Sequence, residues 1–311
     1  MFHTAKNAMS TTKQLFNEIV DYAGLFPPAS QSLDQVVANY AQYLESNDAW
    51  MLARLIVPAG RLFELQQHQP FLDSKRLWKI SSLVPGVDTA DNGFSQALTT
   101  IDEFNDKYSS KAIVDTVEIK APNERLVEST IEQMPKSLIA FLELPHHDDP
   151  NALVELVANG PENILAKVRT GGVTPELIPS PAEVARFIYR CGQNNAGFKA
   201  TAGLHHPLRG DYRLTYDSNA PQGTMFGFVN VFVAACFAFS EFNEQELIEQ
   251  ILVCNEAAKF NFGENAITFG ELKVDSDSIA ATRAGKAISF GSCSFTEPTT
   301  ELKELGWASG G

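Results

Sequence analysis

The chain is short of basic residues and of cysteine, and each shortage excludes something. With 24 Lys and Arg against 38 Asp and Glu, the formal net charge is −14 and no Lys/Arg run interrupts it, which argues against a nucleic-acid partner, whose phosphates such a surface repels. The four cysteines, Cys191, Cys236, Cys254 and Cys293, are scattered without a C-x-x-C. With no signal peptide ahead of them they are expected to be reduced thiols of a cytoplasmic protein. No G-x-G-x-x-G follows an early strand, and neither H-x-H nor H-E-x-x-H occurs, so no dinucleotide cofactor and no metal is expected from motif. The most apolar stretch, residues 225–239 (MFGFVNVFVAACFAF), contains Asn230 and falls short of the roughly 20 residues that span a bilayer. It reads as a buried helix, and no membrane partner is expected.

What is present is an ordinary globular composition, 44% hydrophobic and 20% charged over 311 residues, enough for one large core. Apolar runs ending in Gly or Pro alternate with helical patterns along the whole length. The strands are read at 19–28, 53–57, 78–84, 112–120, 138–144, 164–172, 197–207 and from 287. Strand-helix alternation implies a parallel sheet, and eight units close a barrel. The expected fold is therefore a TIM-type (β/α)8 barrel over 13–311 behind a disordered tail, 1–12, with a doubly wound open sheet as the alternative. The segment 209–223 reads as a long loop, and 267–286 as a hairpin or extra strand.

Two stretches, ILAKVRTGG (164–172) and GFKATAGLHHP (197–207), organise this pattern. Ser180, Pro181 and Glu183 between them form an N-cap, a proline at the first helical position and a capping-box glutamate, so the two strands are joined by a helix and run parallel. A period of two puts Lys167 and Arg169 on one face of the first strand, and Lys199 and Thr201 on one face of the second. Charged residues interrupt the other strands as well: Arg54, Lys79, Asp115 or the pair Glu118 and Lys120, and Glu143. Strand parity lets only one of the sets Asp115 or Glu118 with Lys120 point inward. In such barrels chemistry sits at the C-terminal strand ends.

The motifs VDTVEIK, AKVRTGG and FKATAGL resemble those of class I, Schiff-base aldolases of the deoxyribose-phosphate aldolase type. The resemblance implies Lys167 as the Schiff-base lysine, Lys199 as the neighbour that depresses its pKa, and Asp115 as the proton-transfer residue. The segments DYAGLFPPA and FKATAGLHHPLR also resemble a set of uncharacterised bacterial proteins.

The residues support that chemistry by themselves. A lysine attacks a carbonyl only as the free amine, and at an ordinary pKa of about 10.4 it is almost wholly protonated at neutral pH. A dry pocket with Arg169 and Lys199 beside Lys167 lowers that pKa. The expected activity is that of a lyase on a small phosphorylated or carboxylated carbonyl compound. The same three cations suit two alternatives: a barrel enzyme that transfers a phosphoribosyl or similar group without a covalent lysine, and a non-catalytic anion-binding or assembly module. Under each reading Gly171, Gly172, Gly291 and Ser292 offer turns, and the Gly171-Gly172 turn leading into a helix offers backbone N–H groups to an anion. His146, His147, Asp148 and Asp149 after strand five, with His205 and His206 after strand seven and Glu143, form a divalent-metal alternative. Either His205 or His206 also suits acid–base work near Lys199. The apolar helix, with Phe226, Phe228, Val229, Phe232, Val233, Cys236 and Phe237 around its circumference, demands a second buried surface. Either residues 244–259 supply it or a second copy does, in a homodimer.

Overall fold

The computed structural model describes residues 10–87 and 92–308. Its elements follow in order: α1 (Thr11–Phe16), β1 (Val20–Tyr22), α2 (Leu33–Leu44), β2 (Leu52–Pro58), a 3-10 turn (Ala59–Gln67), α3 (Gln69–Asp73), β3 (Trp78–Leu83), α4 (Gly93–Tyr108), β4 (Ala112–Lys120) and α5 (Glu124–Gln133). Next are β5 (Ile139–Glu143), α6 (Asn151–Asn159), β6 (Ile164–Arg169), α7 (Pro181–Gln193), β7 (Phe198–Thr201), β8 (Gly210–Arg213), β9 (Gln222–Met225), α8 (Phe228–Ala238) and α9 (Gln245–Val253). The chain finishes with β10 (Phe260–Phe262), β11 (Ala266–Phe269), β12 (Leu272–Asp275), α10 (Ser276–Gly285), β13 (Ala287–Ser292) and α11 (Thr296–Glu304). Strands β1 to β7 and β13 pair in parallel, in chain order, and β13 closes on β1 as a barrel, so the TIM-type expectation holds and the open sheet does not.

Three expectations need correction. The tail does not run to residue 12: residues 1–9 lie outside the described residues, while α1 starts at Thr11, capped by Ser10, and the Thr11 hydroxyl donates to the Gly263 carbonyl at 2.6 Å. The segment read as a loop, 209–223, carries the antiparallel hairpin β8–β9, whose second strand runs on to Met225; the hairpin expected within 267–286 is present as β11–β12, joined by β10 in a three-stranded antiparallel sheet. The helix after α8 stops at Val253, where Cys254 turns extended.

Local chemistry accounts for the junctions. Ser180 and Glu183 complete the capping box in front of α7, whereas Ser32 caps α2 alone because the Gln35 side chain reaches Asn39 instead. Helix α8 is buried along its entire length, packed by α7, α9, α10 and β13. Its one polar residue, Asn230, donates to the carbonyls of Ile251 and Cys254 at 2.7 Å each and accepts from the Arg209 N–H at 3.0 Å, so neither end of its own amide is left unpaired. The second surface that the sequence demanded is thus supplied within the chain, and α8 offers no apolar face to another copy. Among the described residues no helix is long and apolar enough to cross a membrane.

Candidate active site

The interior of the barrel is polar where barrels of this kind are usually filled by branched apolar side chains. The reason starts in β4. Val114, Val117 and Ile119 all belong to the hydrophobic core cluster while Glu118 meets the lysines of β6 and β7, which leaves two consecutive residues, Asp115 and Thr116, between Val114 and Val117. The pairing with β3 shifts register at this point, Val114 opposite Ile80 but Thr116 opposite Ser81. This is a β-bulge, and it turns both Asp115 and Glu118 inward; the parity rule that allowed only one of them assumed an unbroken strand.

The two acids have different partners. Asp115 is held by Arg54 of β2 in a two-pronged pair, 2.7 and 2.8 Å, and its side chain touches neither lysine. Glu118 is wholly buried and bridges them: Oε1 accepts from Lys199 Nζ at 2.7 Å and Oε2 lies 2.9 Å from Lys167 Nζ. The aspartate implied by resemblance as the proton-transfer group is therefore not the acid at the lysines; Glu118, three residues on, is.

The contacts continue on both sides. Lys199 also donates to Asp21 of β1 at 2.5 Å, and Asp21 accepts from Ser289 of β13 at 2.6 Å and from the Arg54 backbone N–H at 3.1 Å. Ser81 donates to Glu118 at 2.8 Å, and the Phe141 ring lies 5.1 Å from Lys199 Nζ. Toward the mouth, Lys167 pairs with Glu143 at 2.7 Å and Arg169 approaches Glu143 at 3.6 Å. Cations and carboxylates therefore alternate from β1 to the mouth as Asp21, Lys199, Glu118, Lys167, Glu143 and Arg169, three of each sign.

This alternation sets the charges. Burial works against the ammonium of Lys167, but Glu118 and Glu143 outweigh it and raise its pKa. The expectation that neighbouring cations lower it is overturned, because a carboxylate stands between Lys167 and each of them. Burial likewise opposes ionisation of Glu118 and Glu143, yet the lysines hold Glu118 far below the ordinary carboxylate range, and Lys167 with Arg169 holds Glu143 below it.

Above Lys167 lies a cavity of about 340 Å³, lined by Glu118, Lys167, Arg169, Thr201, His205, Gly291 and Cys293 among others, with Ile56, Leu83, Leu177 and Met225 as its apolar wall. Lys199 lies out of contact with solvent. The ends of β6 and β7 touch so closely that a Cβ on Gly171 would sit 2.8 Å from the Gly203 Cα, and Gly203 has φ +75°, a combination only glycine tolerates. Gly172 and Gly203 reach the cavity wall. No helix begins at Gly172; a short 3-10 turn, Pro175–Leu177, follows and α7 starts only at Pro181, so the anion-binding helix end expected there is absent. Lys120 is exposed at the rim, and the buried Ser292 hydroxyl accepts from the Ser294 N–H instead of facing substrate space.

Three of the four loop histidines have separate carboxylate partners, and the fourth, His146, lies against the His147 ring. His147 pairs with Glu183, His205 with Glu297 at 3.1 Å and His206 with Glu301 at 2.8 Å, and among the described residues no three potential metal ligands gather. All four cysteines are free thiols.

No family model matches the chain, and no curated protein matches it. A crystal structure described as a "putative deoxyribose-phosphate aldolase from Toxoplasma gondii ME49" is similar at 12% identity over 96% of each chain, with a TM-score of 0.36.

Proposed function

We propose that this barrel is a Schiff-base lyase of the aldolase kind, with Lys167 as the nucleophile toward a small carbonyl compound. The observation that carries the reading is Glu118, buried between Lys167 and Lys199 directly below an open cavity. Buried ion pairs add little to stability, and apolar residues of similar volume usually do as well, so a six-member charged array in a barrel core speaks for chemistry at the strand ends. The cavity is of a size suited to a small molecule.

The residues support the following sequence. Lys167 rests as an ammonium and passes one proton to Glu118 or Glu143, its two carboxylate contacts. The amine nitrogen then adds to the carbonyl carbon, the carbonyl oxygen takes that proton back from the carboxyl group, the nitrogen passes one of its two remaining protons through the same carboxylate to the new hydroxyl, and the carbinolamine loses water to give an iminium. The iminium carries the positive charge the ammonium gave up, so both carboxylates again face a cation. Lys199, held by Asp21, keeps Glu118 aligned throughout. Loss of a proton or of a carbon fragment next to the iminium carbon gives the enamine.

An anion clamp without a covalent step, whether in a group-transferring enzyme or in a binding module, has less support, because Lys167, Lys199 and Arg169 each already face a carboxylate. The test is exchange of protons next to the carbonyl of acetaldehyde, acetone and pyruvate into D2O, followed by NMR. Wild-type protein should catalyse exchange with at least one of them and Lys167→Arg with none; equal exchange by both would reject the reading.

A further inference from the structure

A smaller cavity of about 260 Å³ adjoins the one over Lys167. It is bounded by the β8–β9 hairpin and α11, and the two share Pro28, His205, Leu214 and Met225. His205 stands in this common wall, almost fully buried. Its Nδ1 meets Glu297 Oε2 at 3.1 Å, and the Tyr216 hydroxyl donates to the same oxygen at 3.2 Å. That arrangement fixes the ring with its Nδ1–H donating to Glu297, leaving Nε2 with only the Cys293 sulfur, 3.8 Å away. An imidazole oriented by a carboxylate and facing two chambers has the build of an acid–base group.

Resting on the Schiff-base reading, we infer that His205 is a second acid–base residue of this site, serving the carbonyl oxygen of a second substrate fragment held between the hairpin and α11. The enamine carbon formed over Lys167 attacks the carbonyl carbon of that fragment, and a carbon–carbon bond forms. The carbonyl π pair moves to oxygen, which takes the proton from His205 Nε2, while the enamine nitrogen pair restores the iminium. In the cleavage direction neutral His205 removes the hydroxyl proton, the carbonyl re-forms and the carbon–carbon pair returns to the enamine. Glu118 and Glu143 handle protons at Lys167, and His205 handles the one at the distant oxygen. The fragment meets Leu214, Met225 and Pro28 as apolar wall, with Arg213 at the rim, where among the described residues it has no ion-pair partner; a small aldehyde carrying a negative group fits these surroundings.

The groups that face His205 are Glu297 from α11, Cys293 beyond β13, Tyr216 from the hairpin and His206 beside it, with Lys167 and Arg169 across the larger cavity. Burial disfavours its charge, but Cys293 and Glu297 raise its pKa to about 9, so it is an acid at neutral pH.

The test compares wild type, His205→Asn and Glu297→Gln. Acetaldehyde, acetone and pyruvate serve as donors, glyceraldehyde and glyceraldehyde 3-phosphate as acceptors, and the readouts are adducts trapped with cyanoborohydride, deuterium exchange and condensation product. We expect His205→Asn to keep trapping and exchange within about twofold and to lose product formation about 100-fold. Glu297→Gln should keep product formation but move its alkaline limb from near pH 9 to lower pH. Unchanged product formation in His205→Asn, a loss of exchange in step with product, an unmoved limb in Glu297→Gln, or exchange without product from every pair would each overturn the assignment while leaving Lys167 in place. Wild type giving neither adduct nor exchange would instead defeat the Schiff-base reading, and this inference with it.

Discussion

Lys167 and Lys199 occupy opposite oxygens of one carboxylate, Glu118, at 2.9 and 2.7 Å. Two buried ammonium groups in one barrel are tolerable because a shared anion separates them, and the same anion is a proton acceptor in contact with the candidate nucleophile.

Removing that anion should therefore be costly. Glu118→Gln leaves Lys199 with Asp21 alone and Lys167 with Glu143 alone. Breaking one partner out of a buried ionic network costs about 3 kcal/mol or more. Urea unfolding should show a loss of this order with an unchanged slope, and a loss below about 0.5 kcal/mol would mean the array is hydrated in solution.

The same array sets the response to pH. Glu118 and Glu143 have depressed pKa values in the folded state, so the stability they contribute is fully present above the unfolded value of about 4.3 and is lost as pH falls below it. Lys167 is raised, so its contribution is present below about pH 10.4 and is lost only at higher pH. Urea midpoints should be flat, as far as these groups are concerned, between those limits and fall on the acid side. Glu118→Gln should flatten the acid fall; an unaltered acid slope in that variant would count against Glu118 as its source.

The contact of Gly171 with Gly203 should be intolerant. Gly171→Ala would drive its Cβ into the Gly203 backbone, whereas a Cβ on Gly285 at the end of α10 would meet nothing within 4 Å. Overpacking of this kind costs about 1–3 kcal/mol, while a glycine-to-alanine change at a helical position with space gains up to about 1 kcal/mol. Thermal unfolding of the two variants should shift in opposite directions; equal shifts would show that β6 and β7 part easily at their ends.

Asn230 gives a test remote from the site. Asn230→Leu would strip partners from the carbonyls of Ile251 and Cys254 and from the Arg209 N–H. Unsatisfied buried groups cost about 1–3 kcal/mol each, so the variant should unfold at clearly lower denaturant, and a neutral result would mean that water enters beside α8.

Barrel closure was legible because each strand is an apolar run ended by Gly or Pro, and seven of the strands carry a charge that breaks the run. The hairpin β8–β9 was not, since GDYR and QGTM are polar, glycine-containing segments with no alternation to read. The lysines were found from their strands, but their partners were not. Asp21 lies 178 residues from Lys199, and nothing local in IVDYAG distinguishes it except an acid inside an apolar run, the signal that identified Glu118 and Glu143. The bulge at Asp115 defeated parity because one extra residue reverses every later side chain. For the same reason the direction of the Lys167 shift was misread: cations were visible in the motifs, and the interleaved carboxylates that reverse their effect became visible only with the strands in place.

The central claim is that Lys167 is a nucleophile toward carbonyl compounds, and the most direct measurement is cyanoborohydride trapping with a panel of small aldehydes and ketones, followed by peptide mass mapping. The account predicts a single reduced adduct on Lys167, absent in Lys167→Arg, with the fully buried Lys199 unmodified. Labelling of Lys199 in place of Lys167, or of exposed lysines alone, would contradict it.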